Sequence, residues 1–172
     1  MLRPKSNYSK AKVYSSRFLI NLYKRFDFPI IIIRPYQVFG PYQDLNRLIP
    51  FVINSCLNDK KFACSNGLQL RDFLYVDDFT NSITSLLRTN LKGQIFNVGL
   101  GKAIQIKKII KLIQKKLKKG TPEFGKIKLR SDENLITYPD ISKIRKMIKW
   151  KPKTSFLSGL NKTINFYKRH KI

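Results

Sequence analysis

Four consecutive isoleucines, Ile30 to Ile33, limit what this chain can fold into more than any other feature. β-Branched side chains in succession disfavour a helix and put apolar groups on both faces of an extended strand. Such a run suits a strand covered on both sides, as in a parallel sheet. Ahead of it, Tyr8 to Phe26 carries Val13, Phe18, Leu19, Leu22 and Phe26 at helical spacing, and Asp27 to Pro29 ends that pattern.

The same alternation continues downstream. Arg34 to Asn46 contains Pro35, Gly40 and Pro41 and reads as a loop, followed by a helix over Leu48 to Leu57. Asn66-Gly67 marks a turn before a short strand at Arg71 to Val76, and Asp77 and Asp78 favour the start of a helix over Phe79 to Leu87. Gln94 to Val98 reads as a strand ending in Gly99-Leu100-Gly101, a glycine pair that reads as a left-handed turn. Ile104 to Leu117 is an amphipathic helix with Ile106, Ile109, Ile110 and Ile113 inward. Gly120 to Gly125 is a break, and two helices follow at Ile141 to Trp150 and Phe156 to Arg169. Strands alternating with helices predict an α/β layer architecture, with residues 1–172 as one unit.

Composition removes several classes. Two cysteines, Cys56 and Cys64, exclude a disulfide scaffold, and both read as core residues. The lone histidine, His170, stands near the end and reads as a frayed terminal residue, so no metal site is expected. No apolar run reaches the length of a membrane span and no signal peptide is apparent, so a cytoplasmic setting is expected. The net charge of +25 attracts polyanions, which makes a basic nucleic-acid-binding protein one candidate. The lysines, however, are spread over the whole length among many isoleucines and asparagines, as a biased codon usage would leave them. No helix-turn-helix, zinc or aromatic-interleaved basic motif accompanies the charge, so nucleic acid ranks last as a partner.

Tyr8 and Lys12 stand four apart at the start of a helix, on one face. Tyrosine is a poor base at neutral pH, and an ammonium held beside the ring favours the phenolate. Tyr-x-x-x-Lys is thus a chemically sensible acid/base pair, although the spacing alone is common on exposed helices.

The wider context adds to this. The tyrosine helix leads into Ile30-Ile31-Ile32-Ile33-Arg34-Pro35-Tyr36-Gln37-Val38-Phe39-Gly40-Pro41, then Arg71-Asp72-Phe73-Leu74-Tyr75-Val76-Asp77-Asp78. Phe96-Asn97-Val98-Gly99-Leu100-Gly101, Asp140-Ile141-Ser142-Lys143 and Trp150-Lys151-Pro152 follow in order. This succession resembles the second half of the extended short-chain dehydrogenase/reductase family, specifically its nucleotide-sugar epimerases, 4,6-dehydratases and 4-ketoreductases.

The resemblance implies the C-terminal part of a Rossmann-like doubly wound parallel sheet plus a small α/β substrate-binding lobe. Members of the family open with a Gly-x-x-Gly-x-x-Gly half that these residues do not contain. A complementing N-terminal half, or a homodimer, is therefore an expected partner. The implied cofactor is NAD or NADP and the implied ligand a nucleotide-diphosphate sugar. By the same resemblance Tyr8 is the acid/base and Lys12 holds the nicotinamide ribose, with Pro35 and Tyr36 beside the nicotinamide. Gln37, Arg47 and Leu48 meet the nucleotide sugar, and Arg71 grips its diphosphate as a planar donor fork. Arg130 is a second diphosphate arginine, and Glu133 replaces an aspartate that touches a ribose; Asp132 stands where the family has glycine. Asp77-Asp78 and Trp150 read as structural. The expected activity is hydride transfer at a sugar carbon, NAD-dependent and incomplete in this chain. The alternative is a non-catalytic remnant or partner subunit that binds a nucleotide sugar.

Overall fold

The computed structural model describes residue 4, residues 6–130 and residues 133–170. Helix α1 (Asn7–Phe26) is closed at its start by a capping box in which Ser6 and Ser9 serve each other's backbone N–H groups. The isoleucine run enters β1 (Ile31–Pro35), which pairs in parallel with β5 (Gln94–Val98), with Ile31 opposite Gln94 and Pro35 opposite Val98.

After the single residue Tyr36, the chain changes sheet. Strand β2 (Gln37–Phe39) pairs in parallel with β4 (Leu70–Tyr75), and β4 also pairs antiparallel with β6 (Ala103–Gln105) and parallel with β8 (Ile136–Thr137). A third pair joins β3 (Lys61–Cys64) to β7 (Thr121–Phe124) in parallel. Helices α2 (Leu48–Leu57), α3 (Val76–Leu87), α4 (Ile106–Leu117), α5 (Ser142–Ile148) and α6 (Phe156–His170) cover these strands.

Two apolar clusters hold the layers together. In one, Ile49, Val52, Ile53 and Cys56 of α2 meet Ile109, Ile110 and Ile113 of α4 and Leu160, Ile164 and Tyr167 of α6. In the other, Leu74, Leu86, Phe96, Val98, Ile144 and Trp150 pack between β5, α3 and α5. The inward stripe of α4 and the core placement of both cysteines thus agree with the reading from sequence.

Several expectations are corrected. The loop over Arg34 to Asn46 contains β2 and the end of β1; Gly120 to Gly125 holds β7; Ile104 belongs to β6 rather than to the following helix. Strand β3 carried no expectation. These strands are only three or four residues long, too short for a pattern, and exist because a distant partner meets them. Ile31 to Ile33 are half-buried rather than fully buried, because β1 has only β5 as a neighbour among the described residues. Helix α1 buries no residue, and its stripe leaves Phe18 at 63% and Phe26 at 72% exposure. His170 is the last residue of α6, stacked on the Phe166 ring at 4.1 Å between centroids, rather than frayed.

Candidate functional site

The crossing at Tyr36 creates a crevice outside the carboxyl end of β1, the position where open parallel sheets receive ligands. Pro35, Tyr36 and Gln37 line its first compartment with Arg71 and Thr137, a cavity of about 290 Å³. Gln37 and Arg71 also line a second compartment of about 250 Å³, with Gln43, Arg47, Leu48, Ser65, Gln69 and Glu133. A third, of about 370 Å³, shares Leu48, Ser65, Gln69, Ile106 and Glu133 with the second and continues to Phe51, Ile110, Ile127, Lys128 and Arg130. The three together form one cleft, graded from a polar end at Tyr36 to an apolar end between α2, β3 and α4.

Local structure explains each placement. Arg71 is held by β4, opposite Ile104 of β6 and Thr137 of β8. Arg47 precedes the first turn of α2, whose N-terminus carries no side-chain cap, so the positive end of that helix faces the cleft through Leu48 and Ile49. Asp44 fixes the approach by accepting from the Asn46 N–H at 2.8 Å through Oδ1 and from the Arg47 N–H at 2.9 Å through its carbonyl. Among the described residues that line it, Arg47, Arg71, Lys128 and Arg130 face a single acid, Glu133, so the cleft favours an anion.

All six residues that the sequence associates with a substrate, Gln37, Arg47, Leu48, Arg71, Arg130 and Glu133, line this cleft. Ser131 and Asp132 lie outside the described residues. Tyr8 and Lys12 stand apart from it on α1, where the Lys12 Nζ lies 5.5 Å from the centroid of the Tyr8 ring and Tyr8 is 73% exposed. Gln43, Ser65, Gln69, Lys128 and Thr137 complete the walls and carried no signal in sequence, since polar residues in loops and short strands look alike. Gln69 is distinctive among them: its Oε1 is buried without a partner among the described residues.

The Gly99-Leu100-Gly101 turn holds an anion, and that anion belongs to the protein. Asp72, fully buried, accepts from the Leu100 N–H at 2.7 Å and the Lys102 N–H at 3.0 Å. Gly101 takes φ +77°, and a side chain at position 99 would meet Pro139 Cγ at 2.4 Å and Asp72 Oδ1 at 2.8 Å. Asp78 is structural in the same way, accepting from the Lys153 and Thr154 N–H groups at 3.0 and 2.8 Å. No cluster of three metal-ligating side chains occurs among the described residues. No helix among them is long and apolar enough to cross a membrane.

A parallel α/β layer with a cation-lined cleft at its strand ends defines a protein of the Rossmann-like class. Residues 1–99 match the model of the NAD dependent epimerase/dehydratase family, and the chain belongs to that family. It is 28% identical over 175 residues to the dTDP-D-glucose 4,6-dehydratase of Mus musculus, covering 98% of this chain and 49% of the relative. It is 30% identical over 185 residues to a dTDP-glucose 4,6-dehydratase of Escherichia coli, covering 98% and 50%. Among solved structures, the Bacillus anthracis dTDP-glucose 4,6-dehydratase in complex with NAD superposes with a TM-score of 0.91 at 26% identity, over 99% of this chain and 55% of that one. The Bacillus cereus UDP-glucuronic acid 4-epimerase in complex with UDP-glucuronic acid and NAD gives 0.90 at 29% identity, with the same coverage. The chain therefore spans about half the length of the curated relatives it matches.

Proposed function

We propose that this chain is the catalytic and substrate-binding part of a nucleotide-sugar epimerase or dehydratase. The observation that carries the reading is the graded cleft, with arginines at its centre, an apolar compartment at one end and Tyr36 at the other. A nucleoside diphosphate sugar has the matching order of parts: an apolar-faced base, two phosphates and a polar sugar. Arg71 and Arg47 would hold the phosphates by charge-assisted hydrogen bonds, with Arg130 beside them. The compartment between Phe51, Ile106 and Ile110 would take the base, and Gln37 would meet the sugar.

NAD or NADP, as hydride acceptor and donor, would supply the redox chemistry. The donor set on this chain fits one end of such a cofactor: a phenol and an ammonium on one face of α1, and the exposed Pro35 and half-buried Tyr36 where β1 ends. Tyr8 would take the proton from a sugar hydroxyl as the carbonyl forms and return it on reduction. Lys12 would hold a ribose. These 172 residues contain no Gly-x-x-Gly-x-x-Gly turn for the pyrophosphate. The edge of β1 that no described residue pairs, and the uncovered face of α1, favour a companion segment, upstream or on another chain, that pairs with β1 and brings that turn.

Calorimetric titration with dTDP-glucose and UDP-glucose tests the binding half of this reading. Binding that falls at least tenfold in Arg71→Gln is expected; no binding of either ligand would sink it. Co-expression with the N-terminal half of a relative tests the catalytic half. Turnover lost in Tyr8→Phe is the expected outcome, and turnover unaffected by that change would remove Tyr8 from the chemistry. The alternative of a non-catalytic partner subunit gains if sugar nucleotides bind and no companion half restores turnover.

A further inference from the structure

The central charge of the cleft is already taken. Arg71 Nη2 donates to the Glu133 carboxylate and, at 2.6 Å, to the Asn134 carbonyl. Its Nη1 donates to the carbonyls of Leu70 at 2.9 Å and Leu135 at 3.2 Å. A guanidinium has four N–H bonds on its two terminal nitrogens, the prongs with which it grips a phosphate. All four are directed at acceptors of the protein itself. Glu133 also lines both the second and the third compartments, so this residue stands where they join.

Apart from the Leu70 carbonyl, the acceptors come from one short stretch. Glu133, Asn134 and Leu135 lead into β8, and the Leu135 carbonyl also accepts from the Leu70 N–H at 2.7 Å. The segment is thus fastened along β4 by backbone pairing at one end and by Arg71 at the other. The pair is partly exposed, with side-chain accessibilities of 13% for Arg71 and 32% for Glu133, so its attraction is modest. A pyrophosphate group offers several charged oxygens in place of the one carboxylate and two carbonyls of the 133–135 segment, and outcompetes them for a planar donor fork.

We propose that Glu133 is a resident counterion that keeps the diphosphate subsite closed, and that an incoming diphosphate must displace it from Arg71, freeing the 133–135 segment. The proposal rests on the cleft being the diphosphate subsite, as argued above. It makes Glu133 an opponent of anion binding, whereas a residue that only touched a ribose would leave a sugar-free anion unaffected.

The test uses inorganic pyrophosphate, which has neither base nor sugar, titrated calorimetrically into the full chain at low salt. Glu133→Gln is expected to bind pyrophosphate about five- to tenfold more tightly than the unaltered chain, the size that removal of one close, partly solvated like charge supports. Glu123→Gln, on β7, makes the same change in net charge away from the cleft and is expected to leave the affinity unchanged. The gain is expected to vanish when Arg71→Gln is added, or Arg71→Lys where the glutamine variant does not fold. Equal or weaker pyrophosphate binding by Glu133→Gln would overturn the proposal, as would an equal gain in Glu123→Gln or a gain that survives without Arg71. Failure of the nucleotide-sugar reading would look different: the unaltered chain would refuse dTDP-glucose and UDP-glucose while the pyrophosphate gain in Glu133→Gln remained.

Discussion

The Tyr167 hydroxyl donates a 2.7 Å hydrogen bond to the Gln43 carbonyl, tying the last helix to the wall of the cleft. Tyr167 is buried at 1% exposure, and the Gln43 side chain in turn donates from Nε2 to the Val38 carbonyl at 2.8 Å. Removing the hydroxyl leaves that partly buried carbonyl short of a donor, which costs on the order of 1 kcal/mol. Tyr167→Phe should therefore lower the urea midpoint with its slope unchanged. A midpoint equal to that of the unaltered chain would show that the bond contributes nothing.

Asp72 gives a prediction with a pH sign. Burial raises its carboxyl above the usual carboxylate range, against the N–H groups of Leu100, Lys102 and Gly101, which lower it. The folded chain then binds this proton more tightly than the unfolded chain does. Its contribution is fully present below the ordinary carboxylate value and is lost as pH rises through the raised one. Asp72→Asn does not titrate and turns an amide N–H toward a backbone donor, a loss of about 1–3 kcal/mol. The margin of the unaltered chain over Asp72→Asn, measured by chemical unfolding, should narrow as pH rises above the ordinary carboxylate value. A margin that widens as pH rises would reverse the assignment.

Cys56 and Cys64 should be silent toward thiol reagents while the chain is folded. Burial, with Asp59 and Cys64 adding to it, pushes the Cys56 thiol up to about 11, and burial raises Cys64 as well. The thiolate is the reactive form, so at pH 8 neither should label until denaturant is added, when both should. Labelling of Cys56 in the native chain at the rate of a free thiol would contradict this.

Two apolar substitutions separate a covered face from an uncovered one. Ile113→Ala removes a fully buried side chain between α4 and α2 and should cost about 2–5 kcal/mol. Phe18→Ala, on the exposed face of α1, should cost no more than about 0.5 kcal/mol in the chain alone. The phenylalanine change should instead weaken association with the segment that covers α1, read by sedimentation of the two components together, while thermal unfolding of the chain alone stays nearly unchanged. A loss of 2 kcal/mol or more from Phe18→Ala in the isolated chain would mean that the face is already packed.

Periodicity needs only neighbours in the chain, and where it suffices the sequence was legible. Ile106, Ile109, Ile110 and Ile113 point inward because a helix repeats every 3.6 residues, and helix α2 and strand β5 lie where their patterns say. The motifs around Gln37, Arg47, Arg71 and Arg130 likewise marked the residues that the fold brings into one cleft. Tertiary structure decided what depends on partners far along the chain. Lys61–Cys64 is a strand because Thr121–Phe124 lies beside it, and Ile31–Ile33 are half-buried because only β5 adjoins them among the described residues. It also decided charge: Asp72 fills the glycine turn, and Glu133 occupies Arg71, since a side chain's ionic partner is set by packing rather than by spacing.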